Sequence, residues 1–157
     1  MITIGIDPHK GTHTAAAVND ATGQFLEELT VPATDAGAAE LHTWAHRLAD
    51  GEELRFALED VRNVSGRLER FLLGRGELVL RVGTRMMVGV RKSARTFGKS
   101  DSIDALAIGR AALREPNLPR ATHEPVLREL KLLVDHREDL VSERTAIVSR
   151  LRWHLHE

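Results

Sequence analysis

The sequence contains no cysteine. Disulfides, thiolate nucleophiles and zinc sites built on cysteine are thereby excluded. No run of 18 apolar residues occurs, so a helical membrane span is excluded as well. The first residues, Met1-Ile2-Thr3-Ile4-Gly5, read as a strand. They lack the basic n-region and long apolar h-region of a secretory signal, and a cytoplasmic location is the expectation. Internal repeats and low-complexity stretches are also missing. What remains is a chain of 157 residues, 42% hydrophobic and 29% charged. That make-up suits an ordinary globular protein of one domain, or one domain plus an appendage.

The net charge of −1 hides a strong asymmetry. Residues 1–60 hold 3 Lys/Arg against 11 Asp/Glu, residues 61–100 hold 10 against 2, and residues 101–157 hold 9 against 10. An acidic third followed by a basic third points to a polyanion partner. The competing explanation is that the two blocks neutralise each other within the fold.

Hydrophobic periodicity and turn residues predict three antiparallel strands first: Met1–Asp7, Thr12–Val18, and Gln24–Val31 with Phe25, Leu29 and Val31 on one face. A helix follows from a Thr34-Asp35 cap to about Asp50, with Leu41, Trp44, Ala45 and Leu48 at helical spacing, and Trp44 is read as core or as a partner contact. Then come a short strand Leu54–Glu59, a helix Asn63–Arg75 ended by Gly76, and a strand Glu77–Val82. A meander followed by alternating elements predicts an α/β fold, a mixed sheet flanked by helices. Residues 85–99 read as a short helix and loop. Asp101–Arg114 is a helix stopped by Pro116 and Pro119. From Glu124 to Glu157 a single helix repeats Leu127, Val134, Val141, Val148 and Leu155 every seven residues, beside a row of Val126, Leu133, Leu140 and Ile147. That pattern predicts a long coiled-coil helix through which a homodimer or higher homo-oligomer assembles, although Arg137 and Arg144 interrupt a strict seam. The domain division expected is therefore 1–120 and 121–157.

Four acids stand out. Asp7 and Glu59 each end a predicted strand, where a carboxylate can hold a hard cation such as Mg²⁺. Asp60 follows Glu59, and alternation along a strand lets only one of the two face the side of Asp7. Asp101 and Asp104 stand three apart in Gly98-Lys99-Ser100-Asp101-Ser102-Ile103-Asp104, on one helical face. Their repulsion costs stability unless a cation lies between them. The helix dipole and a Ser100 cap account for Asp101 well, and for Asp104 less well. Two strand-end acids and an acidic helix pair are the parts of a two-metal phosphodiesterase.

With these residues the sequence resembles the DEDD family of insertion-sequence transposases, which includes the Piv-type DNA invertases. The matching stretches are Ile4-Gly5-Ile6-Asp7-Pro8-His9-Lys10, the strand-end Glu59, and Gly98-Lys99-Ser100-Asp101-Ser102-Ile103-Asp104-Ala105. The resemblance covers essentially the whole chain. It implies a ribonuclease H-like fold related to the Holliday-junction resolvase RuvC, with Mg²⁺, or alternatively Mn²⁺, at Asp7, Glu59, Asp101 and Asp104 as catalytic ligands. It implies DNA as partner and recombination as activity, guided in some members by a structured bridge RNA. The family's C-terminal domain, with a serine that attacks DNA, is expected to lie outside these 157 residues, so this part alone should not complete recombination.

The basic third fits such a role. Arg85, Arg91, Lys92, Arg95 and Lys99 lead into the acidic helix, and Lys10 stands just past Asp7, all placed to contact phosphates. The eight histidines are read as showing no His-x-x-x-His pair on a helix, and His154 and His156 as surface residues. Two rival functions remain. One is a non-catalytic module for nucleic-acid binding and dimerisation. The other is a fragment of an actin-like or sugar-kinase ATPase, whose phosphate turn Asp7-Pro8-His9-Lys10-Gly11-Thr12 only approximates and whose second domain 157 residues cannot hold.

Overall fold

The computed structural model describes residues 1–61, 64–83, 101–122 and 125–156, with the side chains of 101, 102 and 125–128 left outside the description. Five strands form one sheet: β1 (Ile2–Pro8), β2 (Thr12–Asn19), β3 (Phe25–Pro32), β4 (Leu54–Glu59) and β5 (Val79–Val82), in spatial order β3-β2-β1-β4-β5. β1 pairs antiparallel with β2 and parallel with β4, β2 pairs antiparallel with β3, and β4 pairs parallel with β5. The helices are α1 (Asp35–Ala49), α2 (Gly66–Leu73), α3 (Asp101–Arg114) and α4 (Pro125–His156). This is the mixed sheet with helices that the sequence predicts. Contacts divide the chain into Met1–Thr122 and His123–Glu157, the second being α4.

β1 is central and buried along its whole length. Its alternation therefore sorts residues to two covered faces rather than to core and solvent. Ile2, Ile4 and Ile6 join Ala15, Ala17, Phe56, Leu58 and Val79 in a core closed by Leu41, Trp44 and Ala45 of α1 and Leu68 and Leu72 of α2. Thr3, Gly5 and Asp7 face the other way. On that side Ala57, Leu80 and Val82 pack with Ala107, Ile108, Ala111 and Ala112 of α3.

α3 approaches β1 closely because both surfaces are small. A Cβ at Gly5 would overlap the Ala105 carbonyl oxygen and the Gly109 amide, and would stand 2.7 Å from the Gly109 Cα. Gly5 thus permits backbone-to-backbone contact, and no other residue does. On the opposite face Thr34 caps α1, its hydroxyl accepting from the Gly37 amide at 3.1 Å. The Trp44 indole N–H donates to Glu27 Oε1 at 2.8 Å, so this core aromatic keeps its polar atom satisfied.

β3 differs from the expectation. Val31 is buried, but Phe25 is 39% exposed and pairs with Val18, while Leu29 pairs with Ala15. A register shift between Ala17 and Val18 inserts one residue, and this moves Phe25 off the face of Leu29 and Val31. The opposite edge of the sheet is covered by the chain itself. The Arg81 amide donates to the Pro119 carbonyl and the Ala121 amide to the Val79 carbonyl, each at 2.9 Å, beside a bridge between Leu80 and Arg120.

α4 is a continuous helix of 32 residues. Leu133, Leu140 and Ile147 of one row, and Val134, Val141 and Val148 of the other, are exposed along it. Among the described residues no helix is long and apolar enough to cross a membrane.

Candidate metal centre

Parallel pairing of β1 with β4 brings two strand ends together. Ile6 is in register with Leu58, so Asp7 and Glu59, one residue further along each strand, stand side by side at the carboxyl ends. Their faces follow from the packing. Glu59 pairs with Val82 and is two residues from Ala57, and both of those belong to the α3-side core. Glu59 therefore projects to the face that Asp7 occupies. Asp60, one residue on, is exposed. It adds to the negative field around Arg81, whose guanidinium grips Glu69 of α2 through two 2.7 Å bonds and is held more firmly protonated by that carboxylate first and by Asp60 last. Of the two neighbouring acids, Glu59 is thus the one that shares a face with Asp7.

Asp104 comes from α3, one residue before Ala105, whose carbonyl sits against Gly5. Since Gly5 lies two residues before Asp7 on the same face of β1, the close contact delivers the first turn of α3 to the end of β1 where Asp7 stands. Asp7, Glu59 and Asp104 are 5%, 7% and 9% exposed. Three carboxylates gathered at one end of one sheet face, each nearly out of water, are a costly arrangement unless positive charge or hydrogen bonds compensate them. The donor set is all hard oxygen, which fits Mg²⁺ or Mn²⁺ and suits softer metals poorly. Asp101 opens α3, and its side chain lies outside the described residues, as do Arg85, Arg91, Lys92, Arg95 and Lys99.

The β1–β2 turn adds polar groups to this end. His9 Nε2 lies 3.1 Å from Asp7 Oδ2 while nearly half the imidazole is exposed, and Lys10 is exposed beside it. His13, opposite Pro8 in the register, is buried on the α1 side, its Nδ1 without a hydrogen-bond partner among the described residues. Burial, and secondarily the charge of His9, push the His13 imidazole below its ordinary value of 6.5.

Contrary to the expectation of no such pair, one helix does carry a His-x-x-x-His pair. His42 and His46 stand four apart on α1, and with Glu77 they bring ligand atoms within 4.8 Å of one another. The His-x-x-x-His spacing inside a predicted helix was the available signal. Glu77 carried none, since the sequence places it at the start of a strand and the fold places it in the turn after α2.

A sequence model of the IS110-type DEDD transposases, described as Transposase, matches residues 4–157. The uncharacterized 44.8 kDa protein of insertion element IS116 from Streptomyces clavuligerus is 32% identical over 152 residues, covering 96% of this chain and 37% of that protein. The uncharacterized 42 kDa protein of insertion element IS900 from Mycobacterium paratuberculosis is 29% identical over 145 residues, covering 92% and 36%. The chain thus spans little more than a third of these relatives. Among solved structures, Thermus thermophilus RuvC in complex with a Holliday junction substrate aligns with TM-score 0.54 at 13% identity, covering 77% of this chain and 99% of that one. Thermus thermophilus RuvC alone aligns at 0.52 and 16% identity, covering 77% and 100%. At that identity the likeness establishes a RuvC-like fold. The sequence match establishes the rest: the chain belongs to the IS110-type DEDD transposase family.

Proposed function

We propose that residues 1–120 are the nuclease-type domain of a transposase that cuts phosphodiester bonds in DNA and takes part in strand transfer. What supports this reading is the strand register that sets Asp7 beside Glu59 at the carboxyl ends of β1 and β4, with Asp104, also buried, on the helix packed against that face. Asp7, Glu59, Asp101 and Asp104 would hold the divalent cations, Mg²⁺ by preference. Bound there, such ions supply Lewis-acid charge to a scissile phosphate and to the water or hydroxyl that attacks it. The chain's own contribution is placement. Two carboxylates are fixed by strand pairing and one by helix packing, so little reorganisation is left for substrate binding. Next to them, Lys10 and the basic side chains of residues 85–99 would contact phosphates on either side of the cut. RuvC, which shares the fold, has been seen with a Holliday junction; branched DNA is accordingly the substrate class proposed here, with a structured guide RNA as a further partner suggested by the family. The exposed apolar rows of α4, repeating every seven residues, support self-association of that helix with a second copy.

Calorimetric titration of Mn²⁺ into the chain, with and without a four-way DNA junction, tests the assignment. Saturable binding that is lost in both Asp7→Ala and Asp104→Ala is expected. Binding indifferent to both substitutions, in the presence of DNA as in its absence, would leave a nucleic-acid-binding and dimerisation module whose acids are structural.

A further inference from the structure

The His42, His46 and Glu77 cluster lies apart from the four acids. Its residues belong to α1 and to the turn before β5, on the face of the sheet opposite Asp7. The His42 ring stacks over Phe56, their centroids 6.5 Å apart and planes 10° apart. Phe56 precedes Glu59 by three positions on β4, so the cluster is also displaced from the acids by about 10 Å along the strand.

Each part of the cluster is held by its own constraint. His42 and His46 share one helical face by their spacing, with ring centroids 4.4 Å apart. The edge of Phe71 meets the His42 ring at 6.4 Å, and Phe71 is itself covered on one face by the Arg75 guanidinium, 3.6 Å from its centroid. Glu77 is fixed through its backbone. Gly76 takes φ +79°, its amide bonds to the Leu73 carbonyl at 3.0 Å, and the Glu77 amide bonds to the Leu72 carbonyl at 3.2 Å. This helix-ending pattern turns Glu77 back toward α1. The outcome is that both imidazole Nε2 atoms meet the same carboxylate oxygen, Oε1, at 2.7 Å each.

The geometry points to a binding site for a borderline transition-metal ion of the Zn²⁺ type, held by His42 Nε2, His46 Nε2 and a Glu77 carboxylate oxygen. Two imidazoles and one carboxylate are a three-ligand zinc set that leaves a fourth position for water. Tetrahedral ligation at about 2.0–2.1 Å requires ligand atoms about 3.3 Å apart. From 2.7 Å this is an outward adjustment of about 0.6 Å, small for three side chains on rotatable bonds. Imidazole nitrogen favours Zn²⁺ over Mg²⁺, so the cluster and the all-oxygen carboxylate site select different ions. A bound ion would tie α1 to the α2–β5 turn through His42, His46 and Glu77. This inference is independent of the proposed nuclease role.

The test is titration of ZnCl₂ into the 157-residue chain, read by calorimetry and by thermal melting, in the presence of excess Mg²⁺. The variants are His46→Ala, Glu77→Gln, Asp104→Asn and the pair His154→Ala/His156→Ala. His46 is half exposed and Glu77→Gln keeps an acceptor, so both should fold, and circular dichroism checks that they do. The expected result is one Zn²⁺ per chain and a melting temperature raised by zinc. Affinity should fall more than about tenfold in His46→Ala and in Glu77→Gln, and should persist in the other two. Absence of saturable binding overturns the assignment. So does Zn²⁺ binding that survives both substitutions in the cluster, or binding that also depends on Asp104 or on the two terminal histidines.

Discussion

Replacing Gly5 by alanine tests how the helix acid reaches the strand acids. The new methyl group would fall on backbone atoms, the Ala105 carbonyl and the Gly109 amide, with the Gly109 Cα at 2.7 Å. Ordinary contact begins near 3.4 Å. Since β1 is locked between β2 and β4, α3 must move, by about 1 Å. Overpacking that side chains cannot relieve costs about 3 kcal/mol, the upper part of the usual range. In a domain of this size that lowers the melting temperature by about 10 °C. The same shift carries Asp104 away from Asp7, and Mn²⁺ affinity should drop about 10–100-fold, as it does when a metal site loses its supporting contacts. Gly11→Ala is the control, because nothing lies within 4 Å of its added Cβ; its effect should stay within about 0.5 kcal/mol. Gly109→Ala should be intermediate, since it meets a movable side-chain atom, Val18 Cγ2, at 3.0 Å. Urea denaturation followed by circular dichroism gives the stabilities. A Gly5→Ala protein as stable as Gly11→Ala would refute the reasoning that direct backbone contact seats α3.

Removal of the α1 cap by Thr34→Ala leaves the buried Gly37 amide without its 3.1 Å acceptor and should cost about 1 kcal/mol, seen as a lower urea midpoint at unchanged slope. His13 gives the pH dependence. Its folded imidazole titrates below 6.5, so in mildly acidic solution the unfolded chain binds the extra proton and stability falls as the pH drops through 6.5, by up to about 1.4 kcal/mol per pH unit, levelling off once the folded imidazole protonates too. His13→Gln should flatten that slope between pH 7 and 5; an unchanged slope assigns the acid sensitivity to other groups.

Much of the architecture could be read from local pattern. The bounds of α3 agree with the sequence reading because Pro116 stops it soon after Arg114, and β1 was marked by its isoleucines and the Asp7-Pro8 turn. What escaped depends on partners distant in sequence. Nothing in the vicinity of Gly5 announces that Gly109 will rest on it, and the choice between Glu59 and Asp60 needed the register of β4 against β1 and β5. Phe25 falls on the other face because a strict two-residue period cannot foresee the extra residue, Leu26, that bulges within β3 itself. The His42–His46 pair was local and visible, but its third member, Glu77, joins it only through the turn after α2.

The covering of β5 by residues 119–121 has a consequence for how this protein can misassociate. Two of that strand's outward backbone groups, the Arg81 amide and the Val79 carbonyl, bond to its own chain at Pro119 and Ala121. Among the described residues the other margin of the sheet is β3. There the bulge distorts the ladder, which disfavours regular pairing with an identical strand. The two margins of the sheet are thus guarded by different means, one by the chain's own residues 119–121 and the other by a distorted ladder.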